Sequence, residues 1–121
     1  MVKLITIDDE SDFTEMIRSY FSLRGYEVFV ANNGDAGLAL IEEHKPDVAL
    51  LDLKMPGKSG DQVLIELKTI SPRTLPIMIT ACEGDDKVRD KLILLGALEV
   101  FDKPLQSLKS VESKIKELLN K

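Results

Sequence analysis

Val48-Ala49-Leu50-Leu51-Asp52-Leu53-Lys54-Met55-Pro56-Gly57 is the stretch that decides the fold. Val48 to Leu51 is apolar without a break. A strand with no polar alternation is buried on both faces, which is the condition of a strand inside a parallel sheet. The run stops at a carboxylate, Asp52, and the chain then turns through Pro56 and Gly57.

The same grammar recurs on either side. Upstream, Lys3 to Ile7 is a short β-rich run that stops at Asp8-Asp9-Glu10, and Tyr26 to Val30 is a second strand. Downstream, Leu75 to Ile79 ends at Thr80-Ala81, and Leu98 to Phe101 ends near Lys103-Pro104. Helical spacing fills the intervals. Phe13, Met16, Ile17, Tyr20 and Phe21 follow Ser11 and Asp12 as caps and precede Gly25. Asn33-Gly34 opens a helix with Leu38 and Ile41 facing inward, which Pro46 ends; Gly37 inside it weakens it by about 1 kcal/mol relative to Ala. Val63, Leu64, Leu67 and Ile70 mark a third helix. Val88, Leu92 and Leu95, closed by Gly96, mark a fourth, and Leu108, Val111, Ile115 and Leu118 a fifth. Strands alternating with helices imply an α/β doubly wound parallel sheet covered on both faces. Residues 1–121 are read as one domain.

Composition narrows the function classes. The formal net charge is -5, with 44% hydrophobic and 31% charged residues. That balance suits a soluble globular chain and a cationic partner, and argues against a direct grip on nucleic acid, which needs clustered Lys and Arg. No apolar stretch reaches the roughly 18 residues of a membrane span, and no secretory leader is evident. A lone cysteine, Cys82, excludes an internal disulfide and fits a reducing compartment. A cytoplasmic protein is the expectation.

In a parallel sheet, ligands bind outside the carboxyl ends of the strands. Asp8, Asp9, Asp52, Thr80 and Lys103 all fall there. Carboxylates packed together repel, and a divalent cation relieves the repulsion. Mg²⁺ takes oxygen ligands, commonly one or two carboxylates plus a phosphate oxygen. Lys103 adds a fixed positive charge and Thr80 a hydroxyl donor, so one aspartate can act as nucleophile toward a phosphoryl group. Each residue alone has a plainer reading, such as the N-cap of the next helix or a solvated charge. Their joint placement favours the site.

These residues carry a resemblance. Asp8-Asp9-Glu10, Leu50-Leu51-Asp52-Leu53-Lys54-Met55-Pro56 with Gly60, Thr80-Ala81 and Lys103-Pro104 resemble the signature of the response-regulator receiver family (CheY-like, two-component signalling), over essentially the whole chain. The resemblance implies a flavodoxin-like five-stranded sheet in the order 2-1-3-4-5. It implies Asp52 as the phosphoacceptor, with Mg²⁺ bound by Asp9, Asp52 and the Lys54 backbone carbonyl, and by Asp8 through water. Thr80 and Lys103 would each meet a phosphoryl oxygen. The implied donors are a sensor histidine kinase or phosphotransfer protein docking near the first helix. The implied output is a protein partner on the face of the fourth helix, fifth strand and fifth helix. The family often has an aromatic residue where this chain has Val100, so the Thr–aromatic form of the switch is not expected. Lys54 and Cys82 occupy positions that tune phosphoryl lifetime in the family.

Other residues are read more plainly. Leu94 is expected to face outward; with Leu98 it is either a scattered exposed leucine or a contact for a partner or a second copy, a homodimer. His44 is expected to be a solvated surface residue, Cys82 accessible, and Met16 and Met78 core. Two other functions stand beside the switch: a protein-interaction module of the same fold that is never phosphorylated, and an aspartyl-nucleophile phosphatase. The latter is disfavoured because Lys54 stands where such hydrolases commonly carry a second acid.

Overall fold

The computed structural model describes residues 1–82 and 84–121. The elements run β1 (Lys3–Ile7), α1 (Ser11–Leu23), β2 (Glu27–Ala31), α2 (Gly34–His44), β3 (Val48–Leu51), α3 (Gly60–Ile70), β4 (Leu75–Thr80), α4 (Asp86–Leu94), β5 (Glu99–Asp102) and α5 (Leu108–Leu119). The strands form one parallel sheet in the order β2-β1-β3-β4-β5. This is the expected doubly wound topology.

Alternation along each strand splits the core in two. Ile5, Ile7, Ala49, Leu51, Met78 and Val100 pack against Leu38 and Ile41 of α2, Val63, Leu64 and Leu67 of α3, and Leu92 of α4. Leu4, Val48, Leu50, Ile77 and Ile79 pack against Ile17 and Phe21 of α1 and Val111 and Ile115 of α5. Val48 to Leu51 is buried throughout, as an unbroken apolar run requires. Val100 and Phe101 fall in opposite clusters, so the phenylalanine does not replace an aromatic at position 100.

Register places the chemistry. Ile7 pairs with Leu51, and the Asp52 N–H extends the ladder to the Ile7 carbonyl (3.0 Å). Asp8 and Asp52 therefore leave neighbouring strands at the same level. On the other side, Thr80 pairs with Asp102, and the Lys103 N–H donates to the Thr80 carbonyl (3.1 Å).

Several expectations are corrected. β2 and β5 each begin one residue later than read, and β4 includes Thr80. Tyr26 belongs to the turn after α1, where its N–H donates to the Phe21 carbonyl. Ser11 and Asp12 lie inside α1; its N-cap is Glu10, with no side-chain cap bond. Met16 is 40% exposed because it sits on the flank of the helix, about 100° round from Ile17; the small Thr14 is buried instead. Met78 is fully buried, as expected. Cys82 is buried among apolar neighbours; desolvation, then the nearby charge of Asp102, pushes its thiol pKa up. His44 is half-buried, stacked on Phe29 at 4.2 Å and paired with Glu43 (2.7 Å). Leu94 does face outward, at 85% exposure, with Ile93 and Leu98 also exposed. Among the described residues, no helix is long and apolar enough to cross a membrane.

Gly37 has a packing reason. A Cβ there would run into the Ile7 side chain, so α2 crosses β1 at a distance only glycine permits. Helix propensity alone says Gly37→Ala stabilises by about 1 kcal/mol. The contact predicts the opposite, a loss of about 1–3 kcal/mol from overpacking. Urea unfolding of Gly37→Ala, alone and with Ile7→Val, decides between them: partial recovery in the double variant is the expected outcome.

Candidate phosphoacceptor site at the strand ends

Asp8 is 1% exposed and Asp52 6%. Carboxylates buried this deeply need positive partners or donors. The Lys103 ammonium supplies the charge, at 2.6 Å from Asp8 Oδ2, 2.8 Å from Glu10 Oε1 and 3.7 Å from Asp52 Oδ2. The Glu10 N–H donates to Asp8 Oδ1 at 2.9 Å. Asn32 Nδ2 donates to the Asp8 carbonyl and fixes the backbone below it.

The electrostatics follow from burial. Desolvation raises the Asp8 pKa above its ordinary value; the hydrogen bonds from Lys103 and the Glu10 N–H oppose that rise, and the charge of Asp52 adds to it. Burial acts to lower the Lys103 pKa, but hydrogen bonds to Asp8 and Glu10 and the field of the carboxylates outweigh it and raise the net value. Glu10 is exposed, and its bond to Lys103 lowers its pKa.

Asp52 is held by a close backbone approach. Gly60, the first residue of α3, donates its N–H to the Leu53 carbonyl at 2.8 Å, and a Cβ there would overlap the Asp52 carbonyl oxygen. The loop from Asp52 to α3 thus closes on itself without room for a side chain. Thr80 is 1% exposed, and its hydroxyl is buried with no hydrogen-bond partner among the described residues. An orphan hydroxyl at a strand end is costly unless something completes it.

The structure brings together Asp8, Asp52 and Lys103. Carboxylate oxygens of Asp8, Glu10 and Asp52 lie within 4.8 Å of one another, a group that could hold a metal ion. Three carboxylates against one ammonium leave two uncompensated negative charges. All donors are hard oxygens, which suits a cation that prefers oxygen ligands. Asp9, read as a direct ligand, is exposed and its carboxylate stands outside that group. In the sequence Glu10 stands out only as part of the acidic run Asp8-Asp9-Glu10. Its signal was its place two residues after Asp8, where the entry to α1 turns it back toward Lys103. Lys54 is exposed beside the site.

A family model described as the response regulator receiver domain matches residues 4–115. The chain belongs to this family. Receiver domains are the regulatory switches of two-component response regulators. Similar proteins include sporulation initiation phosphotransferase F of Bacillus subtilis, 33% identical over 84% of this receiver and 82% of that protein. The regulatory protein AtoC of Escherichia coli is 30% identical over 84% of this chain, and a transcriptional regulatory protein CpxR homolog of Haemophilus influenzae 31% over 100%. This receiver spans only 22% and 52% of the latter two. Among solved structures, a response regulator receiver domain protein from Clostridium thermocellum superposes with a TM-score of 0.90 at 31% identity, covering 99% of this chain and 95% of that one. A CheY-like receiver from Methanospirillum hungatei gives 0.90 at 27%, with 99% and 94% coverage.

The Asp8–Lys103–Asp52 arrangement predicts a stability signature. Lys103→Met keeps the apolar stem but strands two buried carboxylates, at a cost of about 3–5 kcal/mol in chelator. Asp8→Asn in that background should recover more than half of the loss. Urea unfolding of the two variants and their combination measures both.

Proposed function

We propose that this receiver is a phosphorylation-driven switch in which Asp52 accepts the phosphoryl group. One observation carries the reading: the Lys103 ammonium converges on buried Asp8 and Asp52 while the buried Thr80 hydroxyl, at the next strand end, has no partner. A phosphoryl group on Asp52 brings new oxygens to this edge. Those oxygens give Lys103 and Thr80 acceptors.

In the transfer, an Asp52 carboxylate oxygen forms the new P–O bond. The donor's P–N bond breaks, and its electron pair leaves with the imidazole of a phosphohistidine, which takes a proton from solvent. Lys103 holds positive charge at the transferred oxygens, and the Thr80 O–H donates to one of them. Closure of the Asp52–Gly60 loop keeps the carboxylate fixed during attack. Asp9, Asp52 and the Lys54 backbone carbonyl, with Asp8 through water, would hold a Mg²⁺ ion, which would supply further positive charge against those oxygens. The residual charge and oxygen-only donor set support the ion; Asp9 and Lys54 enter on the family resemblance.

The donor class is a sensor histidine kinase or phosphotransfer protein, and the output is altered affinity for a protein partner on the face of α4, β5 and α5. The cytoplasm is the proposed compartment, and the chain acts as a switch rather than on a separate substrate. With Val100 at the usual aromatic position, the readout of Thr80 movement runs through α4 by another contact. Arg89 donates to the Val100 carbonyl (2.7 Å) and to Asp102 Oδ2 (3.0 Å), and Asp102 Oδ1 accepts from the Cys82 N–H (3.2 Å). The segment just after Thr80 is thereby tied to α4 and β5. Nothing in the family match favours the phosphatase reading.

Intact-protein mass after incubation with acetyl phosphate tests the reading. A single hydroxylamine-labile phosphoryl adduct is expected with Mg²⁺, and none in chelator or in Asp52→Asn. An adduct of equal yield in Asp52→Asn would move the site. If neither acetyl phosphate nor a phosphorylated kinase labels the protein, the unphosphorylated interaction module takes its place.

The ligand set is tested separately, by Mg²⁺ titration followed through amide chemical shifts. Asp9→Ala should weaken binding by about tenfold or more. Glu10→Ala, which removes a partner of Lys103 rather than a proposed ligand, should change it little. The reverse result would assign the ion to the Asp8–Glu10–Asp52 group instead.

A further inference from the structure

Phe13 reads in the sequence as one member of the apolar stripe of α1. Its ring does pack against the core between α1 and α5. It also does something a core residue need not do. The Lys103 ammonium lies 4.4 Å from the centroid of the Phe13 ring.

The Lys103 side chain is only 13% exposed, so it is largely withdrawn from water. An ammonium has three N–H donors. Asp8 and Glu10 take two of them, at 2.6 and 2.8 Å, and Asp52 is longer at 3.7 Å. The ring face presents the negative side of the aromatic quadrupole, which attracts a desolvated cation. That attraction has no donor–acceptor direction. It holds the ammonium in place while leaving its N–H groups free to turn from one acceptor to another.

We propose that Phe13 is a positioning residue: the face of its ring seats the Lys103 ammonium at the acidic cluster and leaves it free to pivot toward phosphoryl oxygens on Asp52. This rests on the assignment of Asp52 as phosphoacceptor. A lysine side chain has many rotamers, and ordering it during the reaction costs entropy. The seat meets that cost in the resting protein. Phe13 is itself positioned by α1, whose Ile17 and Phe21 are fully buried. The seat therefore does not move when the ammonium pivots.

Phe13 also lines a surface hollow with Met16, Pro104 and Leu105. A phosphodonor protein seated there would touch the same ring. A small donor removes that ambiguity, because acetyl phosphate has no docking face.

The experiment compares Phe13→Leu, which keeps apolar volume and loses the ring, with Phe13→Tyr, which keeps the ring. In NMR spectra of the unphosphorylated wild type, the Lys103 ε-methylene protons should show an upfield ring-current shift. It should vanish in Phe13→Leu and persist in Phe13→Tyr. With acetyl phosphate, Phe13→Leu should be phosphorylated about three- to tenfold more slowly, and Phe13→Tyr within about twofold of wild type. In a Lys103→Met background, Phe13→Leu should add no further loss, because the interaction is already gone.

Equal slowing in Leu and Tyr variants, or undiminished slowing by Phe13→Leu without Lys103, would overturn the proposal and leave Phe13 a packing residue. So would an unshifted methylene in the wild type. If neither the wild type nor any variant accepts a phosphoryl group from acetyl phosphate or a phosphorylated kinase, the phosphoacceptor reading fails. The ring-current arm uses no phosphodonor, so it still decides whether the ring seats Lys103, and the two failures are separable.

Discussion

Two carboxylates buried at the same level on neighbouring parallel strands are the constraint around which this molecule is arranged. The β1–β3 register alone sets Asp8 and Asp52 side by side, because each follows a residue of the Ile7–Leu51 pair. Nothing in the local sequence of either strand relieves their repulsion. Relief comes from Lys103, carried by the last strand, reaching back across the sheet edge. The ammonium is nearer to Asp8 than to Asp52. One carboxylate is thus tied and the other is left short of a full partner.

The scaffold serves this edge by close approach. Gly60 lets the start of α3 lie against the backbone of Asp52, and Gly37 lets α2 lie against Ile7, the residue before Asp8. Gly60 meets the backbone that presents one acid, and Gly37 meets the side chain of the residue before the other. The two apolar clusters clamp the sheet from opposite sides. The strand ends are therefore packed from both sides, while the groups they display stand at the edge of the sheet. On the other side, α4 is held near the site by the Arg89–Asp102 pair, which is partly solvent-exposed. Exposed pairs of that kind contribute little to stability, so they can be exchanged at low cost.

Much of this was legible because period and punctuation carry it. An unbroken apolar run at Val48–Leu51, ended by an acid, specifies a buried parallel strand and the place of Asp52. The same reading finds Asp8, Thr80 and Lys103. What it could not see depends on angles within a turn of helix. Met16 has the right residue type for the core but lies on the flank of α1, and Thr14 takes the inward place. Cys82 follows a strand end, where exposure is the natural expectation, yet the chain folds it under toward Val100 and Leu92. His44 is polar and near a helix end, but β2 is the edge strand and its Phe29 offers a ring to stack on. Glu10 and Phe13 were hidden for a related reason. Their roles are defined by where Lys103 arrives, 93 and 90 positions away in the chain, and no local pattern encodes that meeting.

That sequence distance has a consequence for how the chain reaches its native state. Pairing of β1 with β3 closes a loop of moderate length and brings Asp8 and Asp52 together before Lys103 is in place. The counter-charge arrives only when β5, which pairs solely with β4, has docked. Contacts between residues 8 and 103 are among the costliest in loop entropy and form late. During synthesis, the acidic edge is therefore self-repelling until the last strand is in place. A receiver whose C-terminal strand is missing would lack more than a lysine: its two aspartates, set side by side by the β1–β3 register, would face each other without that counter-charge.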